Sequence, residues 1–377
     1  MLPFVVIWAH QEAGLGGAAA GVLFIVLAVG ESGAGLAGGS LADRFGHRRL
    51  LVISTAGMAL GYGLLALADA PARAIALFLL MGVFESAFHP TIGALVGDFF
   101  DERELVHSFG VVRVGANAGR IVGPLLGAAA ALLSLRAVFA VAGMLLAIAL
   151  VAALALLPSD APSRPEDDPE PEIPPGTLRA LRTDRRLATL VLAGGLLSIT
   201  FAWWAADGLV LLREQRPLST TAYAALFSLA AATVVAFQIP ISSRIAHTPA
   251  GPTMLAGAVF QGAGLGVLAF AGYGYLFLVI GVLLMATGEM LYAPTISAYV
   301  TTRAGRNRRA SYQAALSITE DIGTAIGPIS GLALARVTSA VVVWATGALL
   351  STLGGTATLL AATSRLRTAD RGRRAEN

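Results

Sequence analysis

The chain contains neither cysteine nor lysine, and only 13% of its 377 residues are charged. Without cysteine there is no disulfide framework and no thiolate metal site. The five histidines show no metal-ligand spacing. A soluble domain keeps roughly a quarter of its residues charged, so a soluble core is excluded. No G-x4-GK[ST] phosphate loop is present, which argues against nucleotide-driven work. No nucleophile–base pair is visible either. The expectations are therefore no enzyme activity, no cofactor, no metal and no nucleic-acid partner.

What is present is apolar. Hydrophobic residues make up 56% of the chain, and the mean hydropathy is +0.74. Apolar stretches of about 20 residues, each long enough to cross a bilayer as a helix, are expected near 16–38, 50–69, 75–97, 108–132, 137–157, 188–212, 220–242, 253–271, 275–299, 310–333 and 338–362. The 43 glycines are scattered within these spans, as close helix packing in lipid requires.

All 26 basic residues are arginine, and their distribution orients the chain. Nineteen fall in Arg44–Arg49, at Arg103, in 164–186, at Arg244, in 303–309 and in 365–374. Excess arginine marks the cytoplasmic side. This places the central loop and the C-terminus inside, in a multi-pass cytoplasmic (inner) membrane protein.

An internal repeat organises the spans. Residues 79–96 return 204 positions later as 283–300, with nine of eighteen positions identical, including Glu85/Glu289 and Pro90/Pro294. The same offset carries Gly119, Gly123, Pro124 and Gly127 onto Gly323, Gly327, Pro328 and Gly331. Two halves in parallel order within a membrane chain point to a transporter with its pathway between them. The offset places a first helix at about −16 to 8, of which only MLPFVVIWA is present. The expectation is a chain that starts inside helix 1, through truncation or a misplaced start codon, with about 11.5 of 12 helices. The domains read as a bundle over 1–157, a linker over 158–187, a second bundle over 188–364 and a basic tail over 365–377. The linker is proline-acidic and solvated at first. At 176–186 it turns basic and mildly amphipathic, which suits either a short helix on the anionic leaflet or a plain spacer.

The loop between the second and third helices reads Gly39-Ser40-Leu41-Ala42-Asp43-Arg44-Phe45-Gly46-His47-Arg48-Arg49. It resembles the G-x-L-A-D-R-x-G-R-R signature of the major facilitator superfamily, with His47 in place of a basic residue. The 108–132 span contains Gly110-x8-Gly119-x3-Gly123-Pro124-x2-Gly127-Ala128. It is similar to the antiporter motif of the twelve-helix drug:proton antiporter branch, with alanine at the last place. Glycines four apart form a smooth ridge for another helix, and the proline bends the span. An arginine usual in that branch, four residues before Gly82, is here Phe78.

The resemblance implies an all-α major facilitator fold of two six-helix bundles in parallel repeat. It also implies that Asp43 meets the N-terminus of the 310–333 helix, with Arg308 or Arg309 as partners, and holds the cytoplasmic gate closed. At the repeat-equivalent place His247 replaces the aspartate, so the second half has lost that charged latch.

Nine ionisable residues lie at membrane depth, where each is a functional candidate by its cost: Glu31, Glu85, His89, Arg113, Arg120, Asp207, Glu289, Glu320 and Asp321. The proton-coupling candidates are Glu289, Asp321, Glu85, Glu320 and His89. Glu289 comes first, because no arginine lies on its own helix and apolar surroundings favour a protonated carboxyl. Arg113, Asn117 and Arg120 share one helix face, and Ser317, Asp321 and Thr324 occupy the equivalent places. Such polar ridges suit a central binding site. Arg113 either faces that site or snorkels to the cytoplasmic surface; Glu85 with Arg120 is an alternative, structural pairing. Trp203, Trp204 and Gln238 either line the cavity or pack in the interior.

The functional expectation is proton-coupled efflux of small apolar or cationic compounds by alternating access, in a monomer within the lipid bilayer. A metabolite facilitator or importer on the same fold, and a membrane interaction or sensor protein without transport, stand as alternatives.

Overall fold

The computed structural model describes Trp8, residues 17–158 and residues 176–375. The rest of MLPFVVIWA and the proline-acidic part of the linker lie outside the described residues. Among those described there are thirteen α-helices and no strand. They are α1 Gly17–Phe45, α2 His47–Leu65, α3 Pro71–Phe99, α4 Leu105–Ala131, α5 Leu135–Leu156, α6 Thr177–Thr183, α7 Arg185–Ala205, α8 Gly208–Gln215, α9 Thr220–Ile245, α10 Ala250–Leu268, α11 Tyr275–Ala304, α12 Arg309–Val337 and α13 Ala340–Ala375.

Eleven of these helices are 19 residues or longer, one for each expected span. Seven of them (α3, α5, α7, α9, α10, α11 and α13) are long and apolar enough to cross a membrane by composition alone. Pro90, Pro124, Pro240, Pro294 and Pro328 sit inside continuous helices. Tight helix neighbours tolerate such prolines in a membrane.

Two boundaries differ from the sequence expectation, and the linker takes one of its two expected forms. The 188–212 span is not one helix but two, α7 and α8, broken at Ala206 and Asp207. The last helix runs beyond 362 through the basic tail to Ala375. The basic half of the linker forms α6, after which Asp184 starts α7 by accepting the Arg186 and Leu187 backbone N–H groups at 3.0 and 3.2 Å. Arg303 grips the same carboxylate with two bonds, 2.7 and 2.8 Å long. An acid at a helix start satisfies orphan N–H groups and suits the positive helix end.

The chain divides into two compact units. One comprises residues 1–99, 119–180 and 304–314; the other comprises 100–118, 181–303 and 315–377. Residues 304–314 are the 204-offset equivalents of 100–110, so corresponding segments have changed units. In the first unit, Trp8 is fully buried and meets Phe139 edge-to-face at 5.0 Å, in a cluster with Leu23, Leu65 and Phe78. Phe78, where the family branch has an arginine, is therefore a core residue. The second unit is centred on Trp203, Trp204 and Trp344, with Leu211, Leu265 and Leu278.

Small residues bring helices close at defined points. A Cβ at Gly288 would meet Gly257 O at 2.6 Å, so α10 and α11 cross almost backbone to backbone next to Glu289. Gly288→Val is expected to force them apart, with an overpacking cost of about 1–3 kcal/mol read as a lower melting temperature in detergent. A melting point unchanged from wild type would contradict this crossing.

The glycine ridge of the antiporter-like motif is only partly packed. Gly110 faces Ser242, whose Oγ would lie 2.3 Å from an added Cβ. At Gly119 and Gly123 an added Cβ would meet no atom of the described residues within 4 Å. The repeat-equivalents Gly323 and Gly327 do pack, on Ser198 and Ala202 of α7. The first-half counterpart of α7 would precede α1, outside the described residues.

Candidate functional site

The first unit gathers the signature loop. Gly39 lets α1 cross the start of α12, since a Cβ there would stand 2.6 Å from Ala310 O. One turn on, the Asp43 carboxylate accepts the Ala310 and Ser311 backbone N–H groups, each at 2.9 Å, and the Ser311 hydroxyl. This is charge placed on the unsatisfied donors of a helix N-terminus. Gly46 then turns the chain with φ of 93°, a conformation that a Cβ disfavours, and α2 begins. Arg48 donates to Leu154 O and Leu157 O at 3.1 and 3.0 Å, tying the loop to the end of α5. Arg44 and Arg49 are exposed.

The expected arginine partners of Asp43 are replaced. Arg309 turns away to Asp98 at the end of α3, at 3.1 Å, and the Arg308 guanidinium lies over the Tyr312 ring, 5.7 Å from its centre. The cation beside Asp43 is His47, which bridges Asp43 at 3.2 Å and Asp98 at 2.5 Å. Burial alone would lower the pKa of His47, but the two carboxylates outweigh it and push it up to about 9 from an ordinary 6.5. With that shift His47 carries a positive charge at neutral pH, at the position where the family signature has a basic residue. A raised pKa stabilises the folded cluster fully below about pH 6.5 and loses that contribution as pH rises through about 9. Thermal stability is expected to decline across that window in wild type and to be flatter in His47→Arg; parallel profiles would refute the bridge.

Asp98 and Ser311 were not singled out from sequence. An acid in the last turn of a helix opposes the helix dipole, and that is the available hint for Asp98.

In the second unit the place equivalent to Asp43 has no carboxylate. His247 stands there, and with Arg103, Glu104, His107, Ser108 and Ser243 it lines a shallow cavity of about 270 Å³, in which His107 and Ser243 share a hydrogen bond of 3.1 Å.

The second unit also brings together Arg113 of α4 and Glu289 of α11. Their side chains form an ion pair and are 23% and 18% exposed. Glu289 sits near mid-helix, about 21 Å along the axis from either end of α11. Arg113 does not snorkel to the surface. Its guanidinium is held at that depth, so the reading of Glu289 in purely apolar surroundings is corrected: the neighbouring cation comes from α4. Asn117, one turn on, is buried and donates to Arg113 O at 3.0 Å. Glu320 lies within electrostatic reach of Arg113, and of Asp321 beside it; both acids are exposed on α12. Arg120 is exposed on α4.

Trp203, Trp204 and Gln238 do not line a cavity in this conformation; all three are buried. The Trp203 indole donates to Ser330 Oγ at 3.0 Å, and Trp204 stacks on Phe227. The Gln238 amide donates to Ser242 Oγ and Met290 O at 2.9 and 3.1 Å. In the first unit Glu85 is half-buried, Glu85 and Glu31 both lie within electrostatic reach of Tyr62, and His89 is exposed.

Comparison with known proteins agrees with this architecture. The tetracycline resistance protein, class G, of Vibrio anguillarum is 30% identical over 335 residues, covering 83% of this chain and 80% of that one. The Na(+), Li(+), K(+)/H(+) antiporter of Planococcus maritimus is 32% identical over 133 residues, about a third of each chain (34% and 31%). Among solved structures, the E. coli fucose:proton symporter superposes with a TM-score of 0.76 over 96% of this chain and 94% of its own, at 14% identity, a likeness of fold alone. The family model described as Major Facilitator Superfamily matches residues 1–328. With its repeat, its signature loop seated on a helix N-terminus and its all-helical fold, this chain belongs to the major facilitator superfamily of membrane transporters.

Proposed function

We propose that this protein is a proton-coupled exporter of small apolar or cationic compounds, working by alternating access in the cytoplasmic membrane as a monomer. The observation that carries the reading is the Arg113–Glu289 ion pair at mid-depth. An ionised pair in a low-dielectric region is stable only while both charges are present. Protonation of Glu289 removes one charge and frees the Arg113 guanidinium, which alters the polarity of the site in a single step. Glu320 and Asp321 offer further carboxylates nearby on α12, and Arg120 and Asn117 further polar contacts on α4. Glu85, the repeat equivalent of Glu289, and His89 offer polar groups in the first half.

Asp43 on the N-terminus of α12, with His47, Asp98 and Arg309 around it, latches the cytoplasmic side. The central loop and C-terminus face the cytoplasm, as the arginine distribution requires. The name of the related tetracycline resistance protein supports export, and the name of the cation/proton antiporter supports proton exchange.

A second reading, a metabolite facilitator, is favoured by Phe78, which stands buried where exporters of the branch have an arginine. Transport assays in proteoliposomes separate the two. The exporter accumulates substrate against its gradient only when a pH gradient is imposed. Equilibration at the same rate with and without that gradient would replace the exporter by the facilitator.

A further inference from the structure

The break between α7 and α8 holds a carboxyl group that this mechanism does not use. Asp207 lies at the end of α7 opposite Asp184, about 31 Å along a helix of 21 residues. It is 3% exposed, and its Oδ2 has no hydrogen-bond partner. Although it precedes α8, its side chain makes no capping bond to that helix.

The donors around it are engaged elsewhere. The Trp203 indole N–H goes to Ser330 Oγ, the Ser330 hydroxyl goes to Gly327 O, and the Tyr223 hydroxyl goes to Trp204 O. Gly331 of α12 presses on the carboxyl group: a Cβ there would stand 2.5 Å from Oδ2 and 2.7 Å from the Trp203 ring.

No cation among the neighbours is turned to Asp207. Arg213 of α8 donates to Leu218 O and Thr220 Oγ1, and Arg216 donates to Ala271 O. On α8, in the first turn of α9 and in the last turn of α12, the remaining titratable groups are Glu214, Tyr223 and Arg336. Of these, Tyr223 lies within electrostatic reach.

An ionised carboxylate needs donors, and a buried one without them is costly. A neutral carboxyl group is far less costly to leave buried without partners than an ionised one. A metal cation would need several oxygen ligands, and no group of three acidic, histidine or cysteine side chains able to hold a metal occurs among the described residues.

We propose that Asp207 is a proton-binding site of this transporter. Its carboxyl group carries a proton in the conformation described here and releases it to water when α7 and α8 rearrange about Ala206. The site is separate from Glu289 and stands whether or not coupling runs through the Arg113 pair.

The test is infrared difference spectroscopy of the full chain in lipid nanodiscs, titrated across neutral pH without substrate. Wild type is expected to show a protonated-carboxyl carbonyl band that is lost in Asp207→Asn and kept in Glu289→Gln. An identical set of bands in wild type and Asp207→Asn overturns the proposal. Should Asp207→Asn not fold, Asp207→Glu decides the matter, since the band must then persist at a shifted frequency and an unmoved band counts against it. If wild type shows no such band at any pH tested, with or without sodium ions, the carboxyl group is ionised throughout and the proton assignment fails.

Discussion

Replacing Glu289 by glutamine is expected to abolish accumulation driven by a pH gradient while leaving a folded protein in the membrane. Glutamine keeps the size and can still accept a hydrogen from Arg113, but it cannot alternate between charged and neutral forms. The coupled cycle then lacks the step in which Arg113 is released. Arg113→Ala is a harsher change, because it leaves an acid at mid-depth without its neighbouring cation. Breaking a buried pair by removing one partner costs about 3–5 kcal/mol, so this variant should lose stability as well as flux. Arg113→Lys should restore much of the stability, since a single charge remains. The comparison separates coupling from folding: Glu289→Gln, whose amide oxygen still accepts from Arg113 while Glu320 stays within electrostatic reach, loses flux with a smaller fall in melting temperature than Arg113→Ala, which loses both. Undiminished gradient-driven accumulation in Glu289→Gln would remove Glu289 from the coupling role.

The second large effect is expected at Asp43. Its carboxylate joins α1 to the first turn of α12 through two backbone bonds and one hydroxyl bond. Hydrogen bonds to a charged group contribute about 1.5–3 kcal/mol, and about 1.4 kcal/mol is a factor of ten in population. Asp43→Asn keeps the shape but loses the charge that faces His47 and the helix end. The conformation with this contact formed is expected to become less populated by roughly 10- to 100-fold. The maximal rate of transport should fall, with substrate affinity changing little. His47→Arg should keep the rate and remove its alkaline decline. Wild-type kinetics in Asp43→Asn would mean that the contact is structural ornament and not a gate.

Much of this was legible in the sequence because bilayer physics writes in long apolar runs. Eleven spans were expected and eleven long helices occur, most with boundaries a few residues apart and three ending 7 to 13 residues from the expected place. The 204-residue offset also carried over: Gly323 and Gly327 pack on α7 as a ridge of that kind should. The Asp43 loop was legible in residue type and in its target, the start of α12.

The partners were not legible. Arg113 and Glu289 are 176 positions apart, and no periodicity on either helix indicates that α4 brings a cation to α11. Asp98 and Arg309 are 211 positions apart, and the choice of Asp98 over Asp43 follows from where the N–H groups of α12 already point. The break at Ala206 was missed because 188–212 has no proline. The Asp207-Gly208 pair is the turn signal that was there to be used.

The most direct test of the account is proton movement evoked by substrate. The full chain in inverted membrane vesicles, energised to an acidic lumen, is given a panel of cationic and neutral drugs while lumenal pH is followed. Proton-coupled export predicts that transported compounds raise lumenal pH promptly in wild type and leave it unchanged in Glu289→Gln. Compounds that enter the lumen through this protein with no accompanying proton movement would contradict the central claim.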